Sequence, residues 1–179
     1  MGTALGEAWR AAGHEVLTGA RTGPVSLADA AGFGDVTLLA VPASAVVEVL
    51  SAVPHGATVI DCSNDLDGHP YARIVAARPD LRVVKGFNLC HDSVWRQPSR
   101  VFGGRPLAVP LCGPPDAVSA VAPLVTALGC TPVDAGGPDQ AALLETTATF
   151  AIRLWFQGVD AQAVLQPLRA DDGADLLAR

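Results

Sequence analysis

At 179 residues, half of them hydrophobic, the chain has material for one domain with a sizeable core. The formal net charge of -6, the pI near 5.0 and the absence of any basic run argue against nucleic acid or an anionic membrane surface as partner, leaving a small molecule or another protein. No apolar run reaches the roughly 18 residues of a membrane span, and no signal peptide precedes the first amphipathic segment, so a cytoplasmic protein is expected.

The spacing of Leu5, Ala8 and Trp9 predicts a helix over residues 2–12 that stops at Gly13. A short strand is predicted over 15–18, ending at Gly19, Ala20 and Arg21, and a weak helix over 26–31. The apolar run at 36–41 predicts a strand that stops at Pro42, and a helix over 44–52 has Ser44 as its expected N-cap. Strands at 57–62 and 82–86 flank a helix at 71–77. Residues 89–105 read as loop. A strand at 107–112, a helix at 116–128, a strand at 131–134 and a long apolar helix at 140–157 complete the series. Consecutive apolar residues, as at 36–41, mark strands buried on both faces, so the expectation is an α/β fold with a doubly wound, mostly parallel sheet. Residues 1–139 read as the nucleotide-binding part and 140–179 as a helical appendage whose last residues fray.

Cys62, Cys90, Cys112 and Cys130 lack C-x-x-C pairing, so reduced thiols are expected and no metal site. Cys90, His91 and Asp92 are consecutive in a loop and offer a nucleophile beside a base, although consecutive side chains rarely converge on one atom. With Asn88, Cys90 and His91 are the catalytic candidates. Trp95 and Arg96 read either as a lid or as a buried anchor.

A dinucleotide fold opens with a strand, then G-x-G-x-x-G, then a helix whose N-terminus holds the pyrophosphate. Here the chain opens Met1-Gly2-Thr3, so Gly2 fits the last glycine, with the first strand and two glycines lying ahead of Met1. One reading of this arrangement is a methionine inside a G-x-G-x-M-G stretch taken as the start. If residue 1 is the true start, another strand is expected to fill the gap in the sheet, from this chain or a partner subunit. In this fold an acidic residue ending the second strand selects NAD, whereas Arg21, followed by the donor Thr22, suits the extra phosphate of NADP.

With these pieces in place, the chain resembles the F-420-dependent NADP oxidoreductases, the NADPH-dependent reductases of the deazaflavin coenzyme F-420. The resemblance runs through Met-Gly-Thr-Ala-Leu at 1–5, Ala-Ala-Gly-His-Glu-Val at 11–16, Gly-Ala-Arg at 19–21, Leu-Ala-Val-Pro at 39–42, Val-Ile-Asp-Cys-Ser-Asn at 59–64, Val-Val-Lys-Gly-Phe-Asn at 83–88 and Pro-Val-Asp-Ala-Gly at 132–136, covering the chain to about residue 158. Each piece falls at or near the carboxyl end of a predicted strand, where open α/β sheets bind ligands. The resemblance implies that Gly2 and Thr3 lie over the pyrophosphate and that Arg21 and Thr22 hold the 2′-phosphate. It implies that Val41 and Pro42 wall the ribose side, and that Asn64, Gly86, Phe87 and Asn88 rim the nicotinamide, with Gly86 letting a flat ring approach the backbone. It implies NADP as cofactor, coenzyme F-420 as co-substrate, direct hydride transfer and a homodimer formed through the last helix. Asn64-Asp65-Leu66 stands where the family often has Asn-Pro-Leu, and the loop at 89–95 is richer in reactive side chains than hydride transfer needs. The alternative reading is a descendant that has lost dinucleotide binding and acts as a non-redox enzyme of cyclisation or dehydration type, or as a scaffold.

Overall fold

The computed structural model describes residues 1–159; the predicted tail beyond them lies outside the described residues. Helix α1 (Gly2–Ala11) opens the chain, followed by an irregular segment and the short α2 (Leu27–Ala31), capped by Ser26, whose hydroxyl accepts the Asp29 amide. Strand β1 (Val36–Leu39) leads to α3 (Val46–Val49), which tightens into a 3₁₀ turn at Leu50–Ala52. Strand β2 (Thr58–Asp61), helix α4 (Pro70–Ala77) and strand β3 (Arg82–Lys85) follow. A short α5 (Asp92–Trp95) and a hairpin of β4 (Val101–Phe102) and β5 (Arg105–Pro106) precede β6 (Ala108–Leu111), α6 (Pro115–Ala127), β7 (Thr131–Asp134) and α7 (Ala141–Phe156).

Strands β1, β2 and β3 form a parallel sheet in that order, with Val36, Thr58 and Arg82 in register. Strands β6 and β7 form a second parallel pair, joined to β3 where Lys85 and Cys112 exchange two backbone hydrogen bonds of 2.8 and 3.0 Å in antiparallel sense. All four residues of β2 are buried, as a strand covered on both faces requires. The two-residue alternation of a strand sends Ile60 and Val84 into one core with Leu5 and Trp9 of α1 and Val121 and Val125 of α6. It sends Val59 and Val83 into a second core with Val46, Ile74 and Leu144 of α3, α4 and α7. Helices on both faces of a mostly parallel sheet are the architecture expected from the sequence.

Three local expectations are corrected. Residues 15–18 form no strand: they are irregular and unpaired, and Val16 gives its carbonyl to the Arg10 guanidinium at 2.8 and 3.2 Å instead of to a neighbour strand. Ser44 does not cap α3, which starts two residues later from Ala45 without a side-chain cap. The segment 89–105, read as loop, contains α5 and the hairpin. Nothing among the described residues pairs with the outer edge of β1, so the gap expected to be filled is an open cleft of about 970 Å³ between β1 and residues 14–19.

Candidate functional site

Parallel strands bring the residues after β1, β2 and β3 to one edge of the sheet. The N-terminus of α1 meets the same edge: a Cβ added at Gly2 would lie 2.9 Å from that of Ala40, just past β1, so only a glycine lets the helix start this close. No side chain caps the first turn of α1, and no acidic residue lies in it, which leaves amide donors and a positive dipole end there. Thr3 is exposed beside them.

Arg21 and Thr22 lie in exposed bends after the unpaired segment. The Arg21 guanidinium donates to Glu48 of α3 at 2.9 Å, both side chains being more than 60% exposed. A pair this exposed is worth under about 1 kcal/mol, so Glu48 parks the guanidinium without locking it. Val41 is half-buried against the second core, and Pro42 is exposed.

After β2 and β3, two asparagines clasp each other. Asn64 Nδ2 donates to the Asn88 carbonyl at 2.8 Å, and Asn88 Nδ2 donates to Asn64 Oδ1 at 3.0 Å and to the Leu144 carbonyl of α7 at 3.2 Å. Asn88 is buried, and its Oδ1 accepts no hydrogen bond among the described residues. A buried acceptor left unmatched costs roughly 1–3 kcal/mol until a donor reaches it.

Gly86 and Phe87 sit elsewhere than at a rim. A Cβ on Gly86 would meet Leu111 Cδ2 at 2.6 Å, so this glycine serves the packing of β6 on β3. Phe87 is 2% exposed and holds its backbone at a φ of 60°, a left-handed conformation that costs a bulky residue about 1–2 kcal/mol. Edge-on contacts with Trp9 (5.6 Å) and Trp95 (5.4 Å) hold its ring in the core. The strained turn at Phe87 sets the direction in which Asn88 faces Asn64. Trp95 is likewise a buried anchor, 1% exposed.

Cys90, His91 and Asp92 are not brought to a common atom. The Cys90 thiol packs against the first core, and burial pushes its pKa up to about 11, which keeps it protonated and a poor nucleophile at neutral pH. His91 Nδ1 lies 2.9 Å from the Ser93 hydroxyl and accepts the Ser93 amide, capping α5. The Arg96 guanidinium, bonded to Asp92 at 2.9 Å, holds that carboxyl below its ordinary pKa, with His91 a lesser cause.

A charged cluster beside the asparagines is not among the candidates that the sequence suggests. Lys85, wholly buried, donates to Asp61 at 2.8 Å and to the Ser63 carbonyl at 2.5 Å, and its ammonium forms an ion pair with Glu145 of α7 at 2.9 Å. Glu145 also accepts the Tyr71 amide at 2.9 Å and lies 2.9 Å from His69 Nδ1, while Asp61 accepts the Ser63 amide at 2.9 Å. The available signals were a charge closing each of two apolar strands, Val-Ile-Asp and Val-Val-Lys, and Glu145 as the one acid of α7. Among the described residues, no group of three metal-binding side chains occurs, and no helix is long and apolar enough to cross a membrane.

Helices on both faces of a parallel sheet, and a helix N-terminus meeting its carboxyl edge, define a Rossmann-like α/β domain. No protein-family profile matches the chain, and no curated protein matches its sequence. Solved structures do. The chain is similar to a protein from Arthrobacter sp. FB24, provisionally described as an F420-dependent NADP-reductase, at 23% identity and a TM-score of 0.74, over 88% of this chain and 90% of that one. It is similar to the hypothetical protein SMa0349 from Sinorhizobium meliloti at 27% identity and 0.70, over 78% and 82%. It is similar to a Myxococcus stipitatus imine reductase variant in complex with NAD+ at 15% identity and 0.60, over 100% and 72%. These likenesses show a Rossmann-like fold.

Proposed function

We propose that this chain is an NADP(H)-dependent oxidoreductase that passes a hydride between the nicotinamide and a deazaflavin such as coenzyme F-420, or another small acceptor. The observation that carries the reading is the approach of α1 to the end of β1 at Gly2 and Ala40, with Arg21 ending the adjacent segment. Uncapped first-turn amides at Gly2 and Thr3 suit a pyrophosphate, and Arg21 with Thr22 suits a 2′-phosphate. NADPH, when bound, supplies the hydride; the chain positions it and keeps water away. Asn64 and Asn88 hold the rim at the ends of β2 and β3, and the free Asn88 Oδ1 is an acceptor suited to a carboxamide N–H. Val41 and Pro42 lie along the ribose side. No thiol nucleophile is needed, which agrees with Cys90 being held protonated. The same reading has the chain working as a homodimer in the cytoplasm. Support for the dimer comes from α7, where Trp155 and Phe156 are 64% and 67% exposed among the described residues.

The test is a titration with NADPH and NADH, followed by nicotinamide fluorescence. Saturable binding that prefers NADPH and weakens about tenfold or more in Arg21→Ala is expected, the loss of a charge-assisted hydrogen bond. Absence of binding to folded protein favours the second reading, a descendant without dinucleotide binding that works as a non-redox enzyme or scaffold. The capture of Arg21 by Glu48 is the observation on its side.

A further inference from the structure

Arg21 and Glu48 stand 27 residues apart, one in the bends after residues 15–18 and the other in α3. One hydrogen bond joins them, from Nη2 to Oε2. Among the described residues it is the only hydrogen bond that either charged group makes. The remaining N–H donors of the guanidinium and the other oxygen of the carboxylate are therefore open to a ligand.

The anchor is of an exchangeable kind. Arg73 and Arg153 donate to the backbone carbonyls of Ala43 and Leu66, which hold an arginine whatever anion arrives. Arg21 has no such carbonyl and rests on a carboxylate alone. A 2′-phosphate is a ligand of the same sort, an anion that accepts from the planar fork of the guanidinium. The two anions also repel each other, so bringing the phosphate to Arg21 works against Glu48. A ribose 2′-hydroxyl carries no charge and can donate to a carboxylate. One member of the pair thus favours a 2′-phosphate, and the other opposes it.

We propose that Glu48 is a specificity-determining residue: it competes with the 2′-phosphate of NADP(H) for Arg21 and so holds down the preference for NADPH over NADH. The proposal rests on the NADP(H) reading above, in which Arg21 takes the phosphate, and adds the residue that opposes it. Without nucleotide, Glu48 holds the guanidinium. NADPH must displace that carboxylate, whereas NADH leaves the pair closed. Selectivity is then a difference between an attractive and a repulsive contact at one point.

The experiment compares the chain with Glu48→Gln, with Arg21→Ala and with the double variant. Glutamine keeps the size and an acceptor oxygen of Glu48 but not its charge. Each protein is titrated with NADPH and NADH by nicotinamide fluorescence. Each is also titrated by calorimetry with adenosine 2′,5′-bisphosphate and adenosine 5′-monophosphate, which report the 2′ group without the nicotinamide. Glu48→Gln is expected to bind NADPH and the bisphosphate about three- to tenfold more tightly, with NADH and the monophosphate within about twofold or weaker. The gain is expected to fall within about twofold of nothing when Arg21 is already alanine, because the two residues act through one contact. The urea midpoint of Glu48→Gln should stay unchanged, as for any pair this exposed. A missing gain for the 2′-phosphorylated ligands, equal gains for all four ligands, or the full gain persisting without Arg21 would each overturn the proposal. NADPH binding that Glu48→Gln leaves untouched overturns it alone; no binding of any nucleotide to the four folded proteins overturns the NADP(H) reading with it.

Discussion

A methyl group added at Gly86 would lie inside the space of the Leu111 side chain. Gly86→Ala is therefore expected to lower stability by about 1–3 kcal/mol through overpacking, read as a reduced urea midpoint. Were the glycine there only to admit a ring, stability would be unchanged and NADPH affinity would fall. The sequence marks Gly86 as special but cannot say which neighbour needs its absent side chain, because Leu111 is 25 residues away and meets it only through the bridge to β6. Phe87 was misplaced for a related reason. Position after a strand suggests a rim, yet Trp9, far away in sequence, and Trp95 of α5 claim the ring. Gly2 was legible, since its place at the start of a helix follows from local spacing alone.

At the scale of elements, the Lys85 cluster fastens α7 across the ends of β2 and β3. Removing the cation leaves two buried carboxylates facing each other without a counter-charge. Lys85→Met is expected to cost about 3–5 kcal/mol, measured by urea unfolding, and Glu145→Gln less, because the amide retains an acceptor for the Tyr71 amide. Strands β1, β2 and β3 were legible because burial on both faces writes itself as consecutive apolar residues. The stretch at 15–18 carries strand-like residues yet forms no strand, since pairing belongs to two segments and none of the described strands pairs with it. The brief α5 and two-residue strands of the hairpin fall below the length at which periodicity registers.

For the molecule as a whole, buried acids that stay protonated set an alkaline limit. Burial, the largest cause at each, pushes Cys62 up to about 12, Cys90 up to about 11 and Tyr71 up to about 12. The ordinary values are 9.0 for the thiols and 10.0 for the phenol, so the unfolded chain loses these protons first. Stability is then independent of these groups below about pH 9 and falls as pH rises from there toward 12, by about 1.4 kcal/mol per pH unit for Cys62 alone. Urea midpoints taken at intervals from about pH 8 to pH 11 should decline, with a shallower slope in Cys62→Ala. Composition predicts reduced thiols, and the four cysteines are free; only the folded packing shows three of them buried.

Lys85 is the only lysine in the sequence and is wholly enclosed. An acylating reagent in native buffer therefore modifies the α-amino group and spares the side-chain amine until the molecule opens. Mass gained at that one position counts opening events, giving a label-based clock for global unfolding that requires no engineered probe.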